Sequence, residues 1–339
     1  MPLLARMVPT PLVIDVRRAA IKDLPDLLAD QRISTSGRVA VAYGGSAQDV
    51  VDSLSLRMGA ADLFPVGGAT IDSATSLADS IRRTSYDAVV GIGGGRVLDT
   101  TKYAAARLGL PMVAVATNLA HDGIASPVSI LDSDGHRGSF GVPLPIAVVV
   151  DLDLVRQAPT RFVSAGLGDA ISNLSAIADW ELSRDVTGEG VDGLAVTLAR
   201  TAAEAVLNRS DGLESDDFLV ALAEALILSG LAMAVSGTSR PCSGACHEIS
   251  HAIDMLFPAK SASHGEQVGM GAAFAYFLRQ DTARAEQFVA FLRRHGLPTV
   301  PSEIGLDLEE FSAAVVHAPE TRPGRFTVLE HLDLTPAQV

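Results

Sequence analysis

The chain has 339 residues, 48% of them apolar and 19% charged, with a formal charge of −14. That length is more than one hydrophobic core serves, and that composition packs well, so two folded domains are expected and a disordered chain is not. The acidic balance argues against nucleic acid or an anionic membrane as partner. Lys22, Lys102 and Lys260 are the only lysines, so an anionic ligand must be held by backbone N–H groups, arginines or a metal.

Residues 1–16 are broken by prolines and lack a long apolar core, so they do not read as a signal peptide. Residues 38–43 (RVAVAY) are strand-like and run into Gly44-Gly45-Ser46, after which 47–58 has helical periodicity. A second strand is predicted over 62–66 and a helix over 73–83. The third strand, 87–92 (DAVVGI), ends in Gly93-Gly94-Gly95 and leads into a helix reaching about residue 107. Residues 112–116 (MVAVA) form a fourth strand; 131–135 look like a hairpin turn returning through 146–150. Strands apolar on both faces, alternating with helices, require a parallel sheet covered on both sides.

After residue 161 the valine-rich runs give way to alanine- and leucine-rich segments at 194–207, 216–236, 247–256, 266–278 and 283–295, which read as helices. The most apolar of them, 219–235, is short and carries Glu224, and is expected in a core rather than in a membrane. The predicted fold is therefore an α/β N-terminal domain with a Rossmann-like parallel sheet, residues 1–158, followed by an all-α C-terminal domain, residues 159–339. The short boundary predicts a ligand cleft between them. Cys242 and Cys246 are the only cysteines and read as reduced thiols of a cytoplasmic protein. The long alanine-rich helices make a homodimer the expected assembly.

Gly91-Ile-Gly-Gly-Gly95 joins a strand to a helix, where unpaired N–H groups favour an anion and glycine permits close approach. A pyrophosphate fits that chemistry. Arg96 stands where G-x-G-x-x-G would require a third glycine, and no Lys-Ser/Thr follows to make a Walker loop. In the helical half, His247 and His251 lie one turn apart on one face. An aspartate with two histidines leaves a divalent ion one open position for a substrate oxygen. His247-Glu-Ile-Ser-His251 is also a literal H-E-x-x-H, so a zinc protease with Glu248 as base and Glu266 as third ligand is an alternative, though it leaves the glycine loop without a role.

Gly93-Gly-Gly-Arg-Val-Leu-Asp99-Thr-Thr-Lys102 resembles the G-G-G-x-x-x-D-x-x-K loop of the iron-containing alcohol dehydrogenase and dehydroquinate synthase superfamily. Four further blocks are similar to the sn-glycerol-1-phosphate dehydrogenases: Thr117-Asn-Leu-Ala-His-Asp122-Gly-Ile-Ala-Ser126-Pro127, Gly168-Asp169-Ala-Ile-Ser-Asn173, Ser239-Arg-Pro241 leading to His247 and His251, and His264-Gly-Glu-Gln267. The tail from Arg322 to His331 resembles that family's ending.

The resemblance implies a dehydroquinate synthase-like fold and a metal-dependent reduction of dihydroxyacetone phosphate to sn-glycerol 1-phosphate with NAD or NADP. Gly93, Gly94, Gly95, Arg96 and Val97 would hold the coenzyme pyrophosphate, with Asp99 closing the loop. Thr117, Asn118, Ala120 and Ser126 would line the nicotinamide side. The family often carries serine where Ala120 stands, which removes a hydroxyl there. Asp122 would bind substrate hydroxyls. Asp169, His247 and His264 would bind one divalent metal, zinc first, with iron or nickel accepting the same donors. Asp169 would also lie near the substrate, and His251 would contact it and pass a proton. Arg240 and Lys260 are candidates for the substrate phosphate by location. Gly44-Gly45-Ser46 offers no acid to a ribose, which leaves NADP open. Another polyol phosphate or phosphonate, a dehydroquinate synthase-like cyclase and a non-catalytic binding protein remain the rival readings.

Overall fold

Central strands of a covered parallel sheet must be apolar on both faces, and the valine-rich runs of the first half become such strands. The computed structural model describes residues 8–55, 57, 61–133 and 136–339. Its strands are β1 (Val13–Arg17), β2 (Val39–Tyr43), β3 (Ala61–Pro65), β4 (Ala88–Gly93), β5 (Met112–Ala116), β6 (Val128–Ser133), β7 (His136–Gly141) and β8 (Ala147–Asp151). Six of them make one parallel sheet in the order β1-β8-β5-β4-β2-β3. Every residue of β2, β4, β5 and β8 is buried, whereas the edge strands β1 and β3 are partly exposed. Val41, Val90, Ile92, Val113 and Val149 belong to the core on one face of this sheet.

Helices α1 (Leu24–Leu28), α2 (Gln48–Ser55), α3 (Ile71–Ile81), α4 (Gly95–Leu108) and α5 (Leu152–Gln157) complete this unit, which ends at Thr160. The predicted strand and helix bounds agree to within a few residues. Residues 56 and 58 of the expected helix over 47–58 lie outside the described residues, as do residues 1–7 of the leader reading. One connection differs. The hairpin beginning at β6 returns through β7, antiparallel to it, while 147–151 pairs in parallel with β5 and β1. Fully buried Val148 to Val150 need neighbours on both sides, which a two-stranded ribbon does not provide. Asp134 and Gly135 of the predicted turn lie outside the described residues.

The chain leaves β2 for β3 on one side and returns through α3 to β4 on the other. Such a reversal opens a crevice at the carboxyl ends of β2 and β4, where open α/β sheets bind ligands. Gly44 and Gly93 stand at those two ends.

The second unit, from Arg161, is helical: α6 (Thr160–Thr187), α7 (Gly193–Leu207), α8 (Asp216–Ser236), α9 (Ala245–Leu256), α10 (His264–Leu278), α11 (Thr282–Arg294), α12 (Leu308–His317) and α13 (Val328–Leu332). Helix α8 is long and apolar enough to cross a membrane, yet Phe218, Leu222, Leu226 and Ile227 are buried as it packs along α7. It is a core helix, capped by the Ser215 hydroxyl and ended by Gly237 at φ 68°. Helix α6 escapes the sequence pattern because Ser172, Asn173, Ser175 and Asp179 interrupt its apolar run, although all four are buried.

Candidate active site

The glycine loop ends β4 at Gly93, and Gly94 is the N-cap of α4, with no side-chain cap hydrogen bond. A helix of 14 residues stands behind that end, so its N-terminus favours an anion. Each glycine is required by a neighbour. A methyl on Gly93 would stand 2.7 Å from Val97 Cβ, one on Gly94 2.4 Å from Asn118 Nδ2, and one on Gly95 2.0 Å from His121 Nε2. Gly44 is held to the same standard by Val97, 2.8 Å away from its would-be methyl. Val97, Asn118 and His121 thus wall a cradle at the sheet's reversal that any Cβ would fill.

Thr117 donates its N–H to Gly93 O at 3.1 Å, fixing the β5 exit beside the loop. His121 Nδ1 accepts the Gly123 N–H at 3.0 Å, so the hydrogen of the neutral ring is on Nε2, against Gly95. Arg96 is exposed on the first turn of α4, and Ala120 is half-buried. Asp122 opens a short turn whose carbonyl accepts from Ala125 and Ser126. Asp99 is buried and pairs with buried Lys102 at 2.9 Å, so it braces the loop from within. Ser126 is also buried, with its hydroxyl donating to Val128 O at 3.3 Å, and so shapes the segment rather than facing outward.

In the helical unit, Asp169, His247 and His264 bring one oxygen and two ring nitrogens within 4.8 Å of one another. Asp169 Oδ1 lies 3.6 Å from His264 Nε2 and 3.9 Å from His247 Nε2. Tetrahedral donors about 2.1 Å from a zinc ion stand ~3.4 Å apart, so the set fits a divalent metal. Three helices supply it, and glycines let them meet. A methyl on Gly168 of α6 would lie 2.1 Å from Gly265 O of α10, and one on Gly271 3.1 Å from Cys246 Cα of α9.

Burial, and then His264, His251, Arg325 and Arg322, hold the His247 imidazole well below its usual range, which keeps it neutral as ligation requires. The far ring nitrogens are also held. His247 Nδ1 meets Cys246 Sγ at 3.4 Å, and His264 Nδ1 meets Ser250 Oγ at 3.4 Å. Ser250 donates onward to Gln267 Oε1 at 2.6 Å, and Gln267 Nε2 donates to Asp254 at 3.2 Å. This chain fixes the His264 ring with Nε2 toward Asp169. Cys246, Ser250 and Gln267 were not anticipated as supports; their spacing from the histidines is the only local signal.

His251 stands outside the ligand group. Its Nε2 lies 3.1 Å from Arg322 NH2. Arginine only donates, so His251 accepts at Nε2 and its ring hydrogen is on Nδ1. Glu248 faces elsewhere: it is fully buried, accepts from Thr327 Oγ1 at 3.0 Å, and is pushed up to about 9 by burial, Glu330 and Asp179. Glu266 is engaged with the Ser263 N–H at 2.9 Å in the α10 capping box. The protease arrangement is therefore absent among the described residues.

Arg240 and Lys260 correct the sequence reading as well. Buried Arg240 donates Nε to Glu189 at 2.9 Å and NH1 to Phe326 O at 3.0 Å, and Lys260 pairs with Glu310 at 2.5 Å. Both cations are taken by structural partners. Arg325 is likewise committed, to Ser239 Oγ at 2.8 Å and to Ser243 O, and is pushed down to about 10 by burial and by Arg322 and Arg240.

A nucleotide-type cradle in an α/β unit and an Asp-His-His centre in a helical unit define a class, and residues 15–159 match the family model of iron-containing alcohol dehydrogenases. Solved structures share the fold. A probable glycerol dehydrogenase from Sinorhizobium meliloti superposes with a TM-score of 0.79 at 24% identity, covering 98% of this chain and 96% of that one. A sulfoacetaldehyde reductase from Bifidobacterium kashiwanohense, solved in complex with NAD+, gives 0.75 at 17% identity, over 97% and 98%. Closer in sequence are proteins named glycerol-1-phosphate dehydrogenase [NAD(P)+]. That of Thermofilum pendens is 38% identical over 325 residues, 94% of this chain and 92% of its own. That of Thermococcus kodakarensis is 34% identical over 312 residues, 90% and 88%. The chain belongs to the glycerol-1-phosphate dehydrogenase family.

Proposed function

We propose that this protein catalyses the metal-dependent, NAD(P)H-linked reduction of dihydroxyacetone phosphate to sn-glycerol 1-phosphate. The convergence of Asp169, His247 and His264 carries the reading, in a chain 38% identical to an enzyme named for that product. We assign residues 1–158 to the coenzyme and 159–339 to metal and substrate. When bound, the metal supplies Lewis acidity at the substrate carbonyl and the nicotinamide supplies the hydride.

The chain's own residues orient and exclude. Gly93 to Val97 and the first turn of α4 receive the coenzyme diphosphate, while Thr117, Asn118 and Ala120 hold the loop against which the nicotinamide half lies. Asp122 binds a substrate hydroxyl. Asp169, His247 and His264 hold the metal, with zinc the best match to one carboxylate and two imidazoles. His251, whose Nε2 lies 3.1 Å from Arg322 NH2, handles the proton that the new hydroxyl requires. Buried thiols at Cys242 and Cys246 suit the reducing cytoplasm. A homodimer belongs to the same reading, supported by exposed Met255, Phe277 and Leu308 on the helical unit, and sedimentation tests it.

Product analysis tests the activity. A dehydrogenase consumes one NAD(P)H per phosphorylated polyol formed and releases no phosphate. Phosphate release without net coenzyme oxidation would move the chain to cyclase chemistry.

A further inference from the structure

Taking a carboxylate out of water costs more than a single ion pair usually returns, so a fully buried one asks for a reason beyond stability. Asp179, on α6, is such a group, with no exposed surface. Its Oδ2 accepts the Ala245 N–H at the start of α9 at 2.8 Å. Its Oδ1 accepts the Val328 N–H at the start of α13 at 2.8 Å and pairs with Arg279, the C-cap residue of α10. Arg279 in turn reaches back to α6, donating to Ser175 Oγ and Ser175 O at 3.3 Å.

The helices α6, α9 and α10 joined at this carboxylate are the three that carry Asp169, His247 and His264. The joint with α9 is the most direct. That helix begins at Gly244, which has no side-chain cap of its own, so the carboxylate from α6 supplies the acceptor instead. A methyl on Gly244 would stand 2.3 Å from Asp179 Oδ2 and 2.9 Å from Ala176 Cα, which leaves no room for a local capping side chain. Ala245 and His247 share the first turn of α9, and Asp169 and Asp179 ride on one continuous helix. A slip between Asp179 and Ala245 therefore moves His247 against Asp169.

We propose that Asp179 is a positioning residue of the metal centre: its carboxylate fixes α9 and α10 against α6, so that His247 and His264 meet Asp169 at the spacing a divalent ion needs. The inference rests on the reading that those three side chains hold the metal. Asp179 is not among the ligand atoms and acts through the placement of His247. Asparagine at this position keeps the shape and removes the charge that answers Arg279. It also turns an amide N–H toward a donor that the carboxylate now accepts from.

Two variants disturb this joint: Asp179→Asn, and Gly244→Ala, which crowds the contact without removing the charge. A third, Leu222→Ala, truncates a buried side chain on α8 and lowers stability without touching the joint. Each is compared with wild type in melting temperature, in zinc affinity by chelator competition, and in the visible absorption of the cobalt-substituted protein, which reports ligand geometry. Asp179→Asn should lose zinc affinity by about 10–100-fold and alter the cobalt bands, and Gly244→Ala should follow in the same direction. Leu222→Ala should melt earlier, yet keep zinc affinity within about twofold of wild type and leave the cobalt bands unchanged. Wild-type zinc affinity and cobalt bands in Asp179→Asn, or an equal zinc loss in Leu222→Ala, would overturn the assignment. If Asp179→Asn does not fold, Gly244→Ala decides by the same readings. A wild-type protein that binds neither zinc nor cobalt would remove the metal reading and this assignment with it, an outcome that the variants cannot mimic.

Discussion

Gly168 and Gly265 touch backbone to backbone: a methyl on the first would lie 2.1 Å from the carbonyl oxygen of the second. A methyl on Gly265 would in turn stand 1.7 Å from Ala165 O. Neither obstacle is a flexible side-chain end that can swing aside. Gly168→Ala and Gly265→Ala should each push α6 from α10, separating Asp169 from His264 and costing about 1–3 kcal/mol of stability. Zinc competition with a chelator and a melting curve read both effects. Wild-type zinc affinity in Gly168→Ala would show that this contact does not position the centre.

The support behind His264 gives a second expectation. Ser250 is buried, accepts from the His264 ring and donates to Gln267. Ser250→Ala removes both bonds and leaves the ring free to turn, so zinc affinity should fall about 10–100-fold. Coenzyme binding should not change, since the cradle lies in the other unit. A simultaneous loss of both would point to general destabilisation.

Much of this arrangement was legible in the sequence. The strand ending at Gly93, the glycines and the helix after them are local signals, and so is the one-turn spacing of His247 and His251. The pairing of Asp169 and His264 with His247 came from family resemblance, because no local rule joins residues in three helices. Edge strand β1 was missed since Asp15 and Arg17 break its apolar run. The helix-contact glycines were a neglected clue: glycine inside a helix costs about 1 kcal/mol relative to alanine, so Gly269 and Gly271 in α10 ask for a packing reason. Arg322 lies 71 residues from His251, and the partners that occupy Arg240 and Lys260 are 51 and 50 residues away. Such contacts are made by the fold and have no sequence period.

The cradle predicts a third result. Gly95 leaves no room for a side chain beneath His121. Gly95→Ala should displace that ring over the first turn of α4 and weaken NADH binding more than tenfold, as read by nicotinamide fluorescence. Zinc binding should stay at the wild-type value. Tight NADH binding by Gly95→Ala would place the coenzyme elsewhere.

Glu248 separates the two readings of the H-E-x-x-H segment. It is buried against Thr327 and away from the three ligand atoms. Glu248→Gln keeps the acceptor for the Thr327 hydroxyl, so it should retain zinc and coenzyme oxidation within a few-fold of wild type. A protease would lose all turnover on the same change, and would cleave a peptide panel before it.

We propose that a coenzyme cradle and a metal centre on one chain serve the reduction of a phosphorylated ketone. Coenzyme absorbance tests it most directly, with NADH or NADPH and dihydroxyacetone phosphate, in zinc-loaded and chelator-treated protein. The predicted result is oxidation that stops on chelation, returns with added zinc, and yields the sn-1 isomer of glycerol phosphate. Oxidation that survives complete metal removal, or a product of sn-3 configuration, would rule out a metal-dependent glycerol-1-phosphate dehydrogenase.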